Sequence, residues 1–145
     1  MRISDILRSK EADGSNLVVT ISPDQSVRQM LALLAEHRIG ALVVGSSSDV
    51  IGIVSERDVV RALNTRGAAV LDDAVSELMT SPAQTCSPGD GVDLIAETMT
   101  ARRFRHMPVV ADGVLVGVVS IGDVVKNRIR ELESDRNTLE QYVTG

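Results

Sequence analysis

The chain has 145 residues, 43% of them hydrophobic, with one Phe, one Tyr and no Trp. One compact domain, or two small ones packed together, can therefore bury a core of aliphatic side chains. The formal net charge of −5 argues against nucleic acid as a partner, because its binders carry a basic excess; it leaves room for a small anion held by one or two cations.

In chain order, residues 1–16 are expected to form an N-terminal segment packed on the module that follows. A short β-branched strand is expected at 17–21. Val27, Met30, Leu31 and Leu34 then mark the buried face of a helix, with Ser26 and Gln29 placed as its capping box. Two apolar strands at 41–45 and 50–54 are joined by a polar turn, and a second helix starts at Ser55. The same order returns in 75–130: a weaker strand at 83–86, a helical stripe at Val92, Ile95, Ala96 and Met99, strands at 107–110 and 115–119, and a helix from Ser120. Met30, Met79, Met99 and Met107 read as core filler.

The recurrence extends to individual residues. Ser22-Pro23 returns as Ser87-Pro88, Gly52-Ile53-Val54-Ser55 as Gly117-Val118-Val119-Ser120, and Asp58-Val59-Val60 as Asp123-Val124-Val125, all 65 residues on. Ile3-Ser4-Asp5-Ile6-Leu7 also resembles Val75-Ser76-Glu77-Leu78-Met79. The chain is thus two β-α-β-β-α repeats (17–74 and 75–130), an α/β (α+β) fold. Each unit of about 60 residues has near-continuous apolar strands and needs the other for cover, which favours a pseudo-twofold pair with clefts between the copies.

Both copies run a strand into a helix through Ser-x-x-Asp. That spacing satisfies the free N–H groups of a helix start. It equally offers a phosphate the N–H donors and dipole of the helix, with a carboxylate to accept from two ribose hydroxyls. The two uses are compatible.

The paired Gly-h-h-Ser-x-x-Asp segments (h apolar), at 52–58 and 117–123, resemble the nucleotide signature of cystathionine-β-synthase (CBS) domains, and the resemblance spans residues 1–130. It implies a stand-alone tandem CBS pair in which Ser55 and Ser120 contact phosphate and Asp58 and Asp123 hold ribose. Phe104-Arg105-His106-Met107-Pro108-Val109 is similar to the family segment against which the base lies. The implied cleft residues also include Thr20, Gly40, Ala41, Arg57, Thr85 and Val118. The implied ligand is AMP, ADP, ATP or NAD(H), with S-adenosylmethionine as an alternative.

The first copy departs from this pattern. Residues 39–43 read as one residue shorter, with Leu42 standing where the second copy has Pro108, and Gly122 replaces the cation Arg57. Inequivalent clefts are therefore expected. Arg102 and Arg103 read as solvated cations at a helix C-terminus, Arg105 and His106 as ligand-facing, and His37 as a surface or capping residue.

Cys86, His106 and the acids form no nucleophile–base set, and two histidines with one cysteine lack metal-site spacing, so neither an enzyme nor a metal protein is expected. Cys86 is the sole cysteine, which excludes an internal disulfide. Asp5 interrupts any signal peptide and no run of about 18 uncharged apolar residues exists, so a cytoplasmic protein with no membrane partner is expected.

Beyond residue 130 the stripe Val125, Ile129, Leu132, Arg136, Leu139 and Val143 extends the last helix through 131–145. It points to a homodimer. The expected role is a regulatory sensor acting on a protein partner in trans; the rival is a scaffold whose clefts are vestigial.

Overall fold

The computed structural model describes residues 1–144. Helix α1 (Ile3–Ala12) precedes the first repeat, which comprises β1 (Thr20–Ile21), α2 (Val27–His37), β2 (Ala41–Ser46), β3 (Asp49–Ser55) and α3 (Glu56–Arg66). Two short 3-10 turns, Ala68–Asp72 and Val75–Glu77, lead to α4 (Val92–Arg102), β4 (His106–Ala111), β5 (Val114–Ser120) and α5 (Ile121–Thr144).

The expected helices are present with their signals. Ser26 Oγ accepts the Gln29 N–H at 3.1 Å while Gln29 Oε1 accepts the Ser26 N–H at 2.9 Å, closing the capping box of α2. The apolar positions of α2 and α4 point inward: Val27, Met30 and Leu34 in one, Val92, Ile95 and Met99 in the other. The two leading strands are shorter than expected. Only Thr20 and Ile21 pair, in parallel with Val43 and Val44, and the second copy keeps a single bridge, Cys86 to Val109. Ile21 and Cys86 are the residues that reach the core, whereas Leu17 and Val18 remain exposed.

The two hairpins match residue for residue. Ala41 pairs with Ser55 as His106 pairs with Ser120, and Val43 opposes Ile53 as Pro108 opposes Val118. Both ladders shift register at equivalent places, after Val44 and after Val109. This corrects the expected one-residue deletion in the first copy. No residue is missing, and the counterpart of Pro108 is Val43, not Leu42. Apolar neighbours of similar size had made a one-residue slip invisible in the pattern.

The segments that precede each repeat exchange places. Ile3, Ile6 and Leu7 of α1 bury into the core of the second repeat, with Met99, Met107 and Val119. Val75, Leu78 and Met79 pack on the core of the first, with Met30, Leu42 and Val54. The backbone bonds repeat the swap: Ile3 N–H donates to Asp90 O and Val92 N–H to Met1 O, while Val75 N–H donates to Gln25 O and Val27 N–H to Asp73 O. The similarity of 3–7 to 75–79 thus reflects a common docking role, though the first is a helix and the second a 3-10 turn. Each lobe is closed by chain belonging to the other, which fixes the two repeats as one folding unit.

Gly52 and Gly117 mark where this packing is tightest. A Cβ at Gly52 would lie 2.6 Å from the Thr80 carbonyl oxygen, and one at Gly117 would lie 2.7 Å from Leu7 Cδ2. At Gly52 only glycine lets the exchanged backbone approach β3 so closely, whereas at Gly117 the neighbour is the end of a flexible side chain that can give way.

Candidate functional site

Strand β3 delivers Ser55 to the N-terminus of α3, and β5 delivers Ser120 to that of α5. Ser55 N–H donates to Asp58 Oδ2 at 2.8 Å, and Asp58 N–H donates back to Ser55 Oγ at 3.4 Å. At the other corner, Ser120 N–H donates to Asp123 Oδ2 at 2.9 Å and Asp123 N–H donates to Ser120 Oγ at 3.1 Å. Both pairs cap their helices. Among the described residues neither Oδ1 accepts a bond, so each carboxylate keeps an acceptor beyond its structural task.

Each corner faces a cleft whose opposite wall comes from the other repeat. The Asp58 cleft, about 250 Å³, joins Ser55, Arg57 and Asp58 to Arg105 and His106, with Thr80 and Ile53 at its side. The Asp123 cleft, about 280 Å³, joins Val118, Ser120 and Asp123 to Gly40, Ala41 and the α1 end. His106 lines both. Burial pushes its imidazole below the ordinary histidine value, against the opposing pull of Glu56 and Asp123.

Ten of the fourteen expected residues line one cleft or the other: Ser55, Arg57, Asp58, Arg105, His106, Gly40, Ala41, Val118, Ser120 and Asp123. Four do not. Met107 alternates with His106 along β4 and so turns into the core, fully buried. Pro108 is buried beside its register partner Val118 and does not reach the wall. Thr20 is half-buried on β1 and Thr85 is exposed, both outside the linings.

Other residues join the clefts unexpectedly. Arg102 and Arg103 do sit at the end of α4, yet both line the Asp58 cleft with Arg61 and Phe104. Arg103 and its counterpart Arg38, in the Asp123 cleft, are both left-handed, with φ of 58° and 54°. A non-glycine residue holds that conformation at a cost of about 1 kcal/mol. The αL turn aims each arginine at a cleft, and no sequence signal distinguishes such a residue from an ordinary helix end.

Lys10 is the other unexpected participant. Its ammonium donates to Val118 O at 2.7 Å and to Asp123 Oδ2 at 2.9 Å, with both side chains mostly buried. In the first repeat the equivalent carbonyl, Ile53 O, takes the Thr80 backbone N–H at 2.9 Å. Lys10 therefore completes for β5 what Thr80 completes for β3, and engages the Asp123 carboxylate as well.

These paired clefts, each built from one Ser-x-x-Asp corner and the facing hairpin, have a known setting. The CBS-domain family model matches residues 15–65 and 75–130. The chain belongs to the CBS-domain family. A CBS-domain protein of Agrobacterium tumefaciens is 42% identical, with a TM-score of 0.81 over 88% of this chain and 99% of its own. The mitochondrial CBS domain-containing protein CBSX3 of Arabidopsis thaliana is 35% identical over 99% of this chain and 72% of that protein. A CBS-domain protein of Pyrobaculum aerophilum, solved in complex with AMP, is 31% identical, with a TM-score of 0.71 over 85% of this chain and 89% of its own.

Among the described residues no cluster of three His, Cys, Asp or Glu side chains has the arrangement of a metal site, and no helix is long and apolar enough to cross a membrane. Cys86 is buried, and burial reinforced by Asp90 raises its thiol to about 12.

Proposed function

We propose that this chain is a non-catalytic regulatory module that binds an adenine nucleotide (AMP, ADP, ATP or NAD(H)) between its two CBS repeats. The observation that carries the reading is the position of Ser55 with Asp58, and of Ser120 with Asp123. Each pair lines a cleft closed by the opposite repeat, with a helix N-terminus behind it. Phosphate meets the serine hydroxyl and the helix N–H groups, and ribose hydroxyls donate to the free carboxylate oxygen. The AMP complex of the Pyrobaculum aerophilum relative supports this ligand class.

A ligand in the Asp58 cleft touches α3 of the first repeat and residues 102–106 of the second at once. Binding would then bias the placement of one repeat on the other, which is the change a protein partner in trans could read. We also propose that a second copy covers the outer stripe of α5. Val125, Ile129, Leu132 and Leu139 recur there at helical spacing and are more than half exposed. Light scattering tests this, since Ile129→Glu with Leu132→Glu should convert a dimer to a monomer; an unchanged mass contradicts it.

The rival is a scaffold with vestigial clefts, and Lys10 is its support, because its ammonium already occupies Asp123 Oδ2 within that cleft. A thermal-shift panel of adenine nucleotides, NAD(H) and S-adenosylmethionine separates the two. A ligand at 100 times its Kd adds about 2.7 kcal/mol to folding stability. Replacing Asp58 and Asp123 by Ala also removes two helix caps and lowers Tm without ligand, so the quantity to follow is the ligand-induced increment. The sensor reading expects an increment in the native chain that disappears in the double variant. No increment with any compound favours the scaffold.

A further inference from the structure

The Asp58 cleft carries more positive charge than a nucleoside monophosphate requires. Arg57, Arg61, Arg102, Arg103 and Arg105 line it against one carboxylate, Asp58. Four of the five also border an adjoining hollow of about 380 Å³, so the charge extends past the ribose corner. The chain holds 15 Lys and Arg against 20 Asp and Glu, and a third of those cations meet here. Among the described residues Arg57, Arg61, Arg103 and Arg105 have no carboxylate within ion-pair distance. Arg102 donates to a neutral partner, Gln84 Oε1, at 2.8 Å.

The arrangement is unfavourable without an anion. Arg57 lies in the first turn of α3, where the helix dipole disfavours cations, and Arg61 follows at i+4, where like charges repel. Arg103 is held left-handed beside them. The pseudo-twofold provides an internal control. The counterparts of Arg57, Arg102 and Arg105 are Gly122, His37 and Gly40, and the counterpart of Arg61 is Lys126, which faces Asp13 at 3.8 Å. Among the described residues, Arg38 is the one arginine or lysine of the Asp123 cleft without an ion pair, since Lys10 is bound to Asp123. The same fold thus gathers five guanidiniums at one corner and one at the other.

We propose that the Asp58 cleft selects an adenine nucleotide bearing a chain of two or more phosphates over the monophosphate, with the arginines holding the phosphates beyond the first. This rests on the nucleotide reading above and specifies it. Fork-shaped guanidiniums suit phosphate oxygens, and each added phosphate engages one or two more of them.

The test is isothermal titration of the full chain with adenosine, AMP, ADP, ATP and inorganic tripolyphosphate, at low and high salt without divalent ions. The arms are the native chain, Arg57→Gln with Arg61→Gln, and a charge control, Arg128→Gln with Arg136→Gln, placed on α5 outside both clefts. Arg57 and Arg61 are exposed, so their variant keeps the fold. Affinity should rise about tenfold per phosphate from AMP to ATP, and the preference should shrink in high salt. The cleft variant should lose that preference, its ATP and AMP affinities converging, and the charge control should retain it. AMP binding within twofold of ATP, or a preference that survives in the cleft variant, overturns the proposal but leaves the nucleotide reading standing. Tripolyphosphate matching ATP removes the role of adenosine and overturns both. Silence from all five compounds defeats the nucleotide reading itself.

Discussion

Lys10→Met examines how the Asp123 cleft is governed. The substitution keeps most of the apolar stem and removes the ammonium. In the native chain that ammonium bridges Val118 O at 2.7 Å and Asp123 Oδ2 at 2.9 Å, with side-chain exposures of 17% and 21%. A pair this sheltered is worth more than a surface ion pair, which contributes about 0–1 kcal/mol. Its loss leaves the Val118 carbonyl without this donor and the Asp123 carboxylate with only the Ser120 N–H, at about 1–2 kcal/mol. Free Lys10→Met protein should therefore melt several degrees lower.

A nucleotide entering this cleft meets the ammonium beside the free Asp123 Oδ1, and one that also takes over Val118 O or Asp123 Oδ2 must displace it; in the variant the nucleotide no longer meets that competition. Its affinity at the Asp123 cleft should rise about tenfold, while the Asp58 cleft, which Lys10 does not line, should be unaffected. Titration calorimetry of native and variant protein with ATP and AMP gives the answer, because a second binding event should strengthen or emerge. Weaker binding in the variant would refute the reasoning and make Lys10 a ligand contact rather than an occupant.

Three further predictions concern the frame around the clefts. Gly52→Ala drives a Cβ to 2.6 Å from the Thr80 carbonyl, forcing apart the exchanged segment that donates to Ile53 O; urea denaturation should show a loss of about 1–3 kcal/mol, and an unchanged midpoint would contradict the packing described. His106 is held neutral by burial, below its ordinary value of 6.5. The unfolded chain therefore binds the extra proton first, and stability is full above pH 6.5 and falls as pH drops toward the lowered folded value; His106→Gln should flatten that part of the pH–stability curve, and an identical curve would exclude His106 as its source. Cys86, with its thiol raised to about 12, should resist a disulfide reagent at pH 8 in native protein and react readily in urea; rapid native labelling would contradict its burial.

The repeated pattern made the fold legible because both kinds of periodicity survive in it. The helical stripes of α2 and α4 and the hairpin strands lie where the apolar residues place them. The leading strands were overread, since Leu17 and Val18 are apolar but exposed. Local pattern cannot show which residues find a ladder partner. The Ser-x-x-Asp corners were visible because short-range spacing creates them. Arg61, Arg103 and Lys10 were not. Their roles depend on which segments the pseudo-twofold brings face to face, and on the exchange that lays α1 across β5. Met107 lies in the core, as its reading as core filler expects, and not on the cleft wall, because strand alternation turns it inward once His106 faces the cleft.

The central claim is that Asp58 and the facing Arg105–His106 segment enclose a nucleotide between the repeats. A crystal structure of the protein grown with ATP tests it most directly. Ribose hydroxyls should lie within hydrogen-bond distance of the Asp58 carboxylate, and phosphates among Arg57, Arg61 and Arg103. Nucleotide density seated elsewhere on the chain, with Asp58 serving only as the cap of α3, would contradict it.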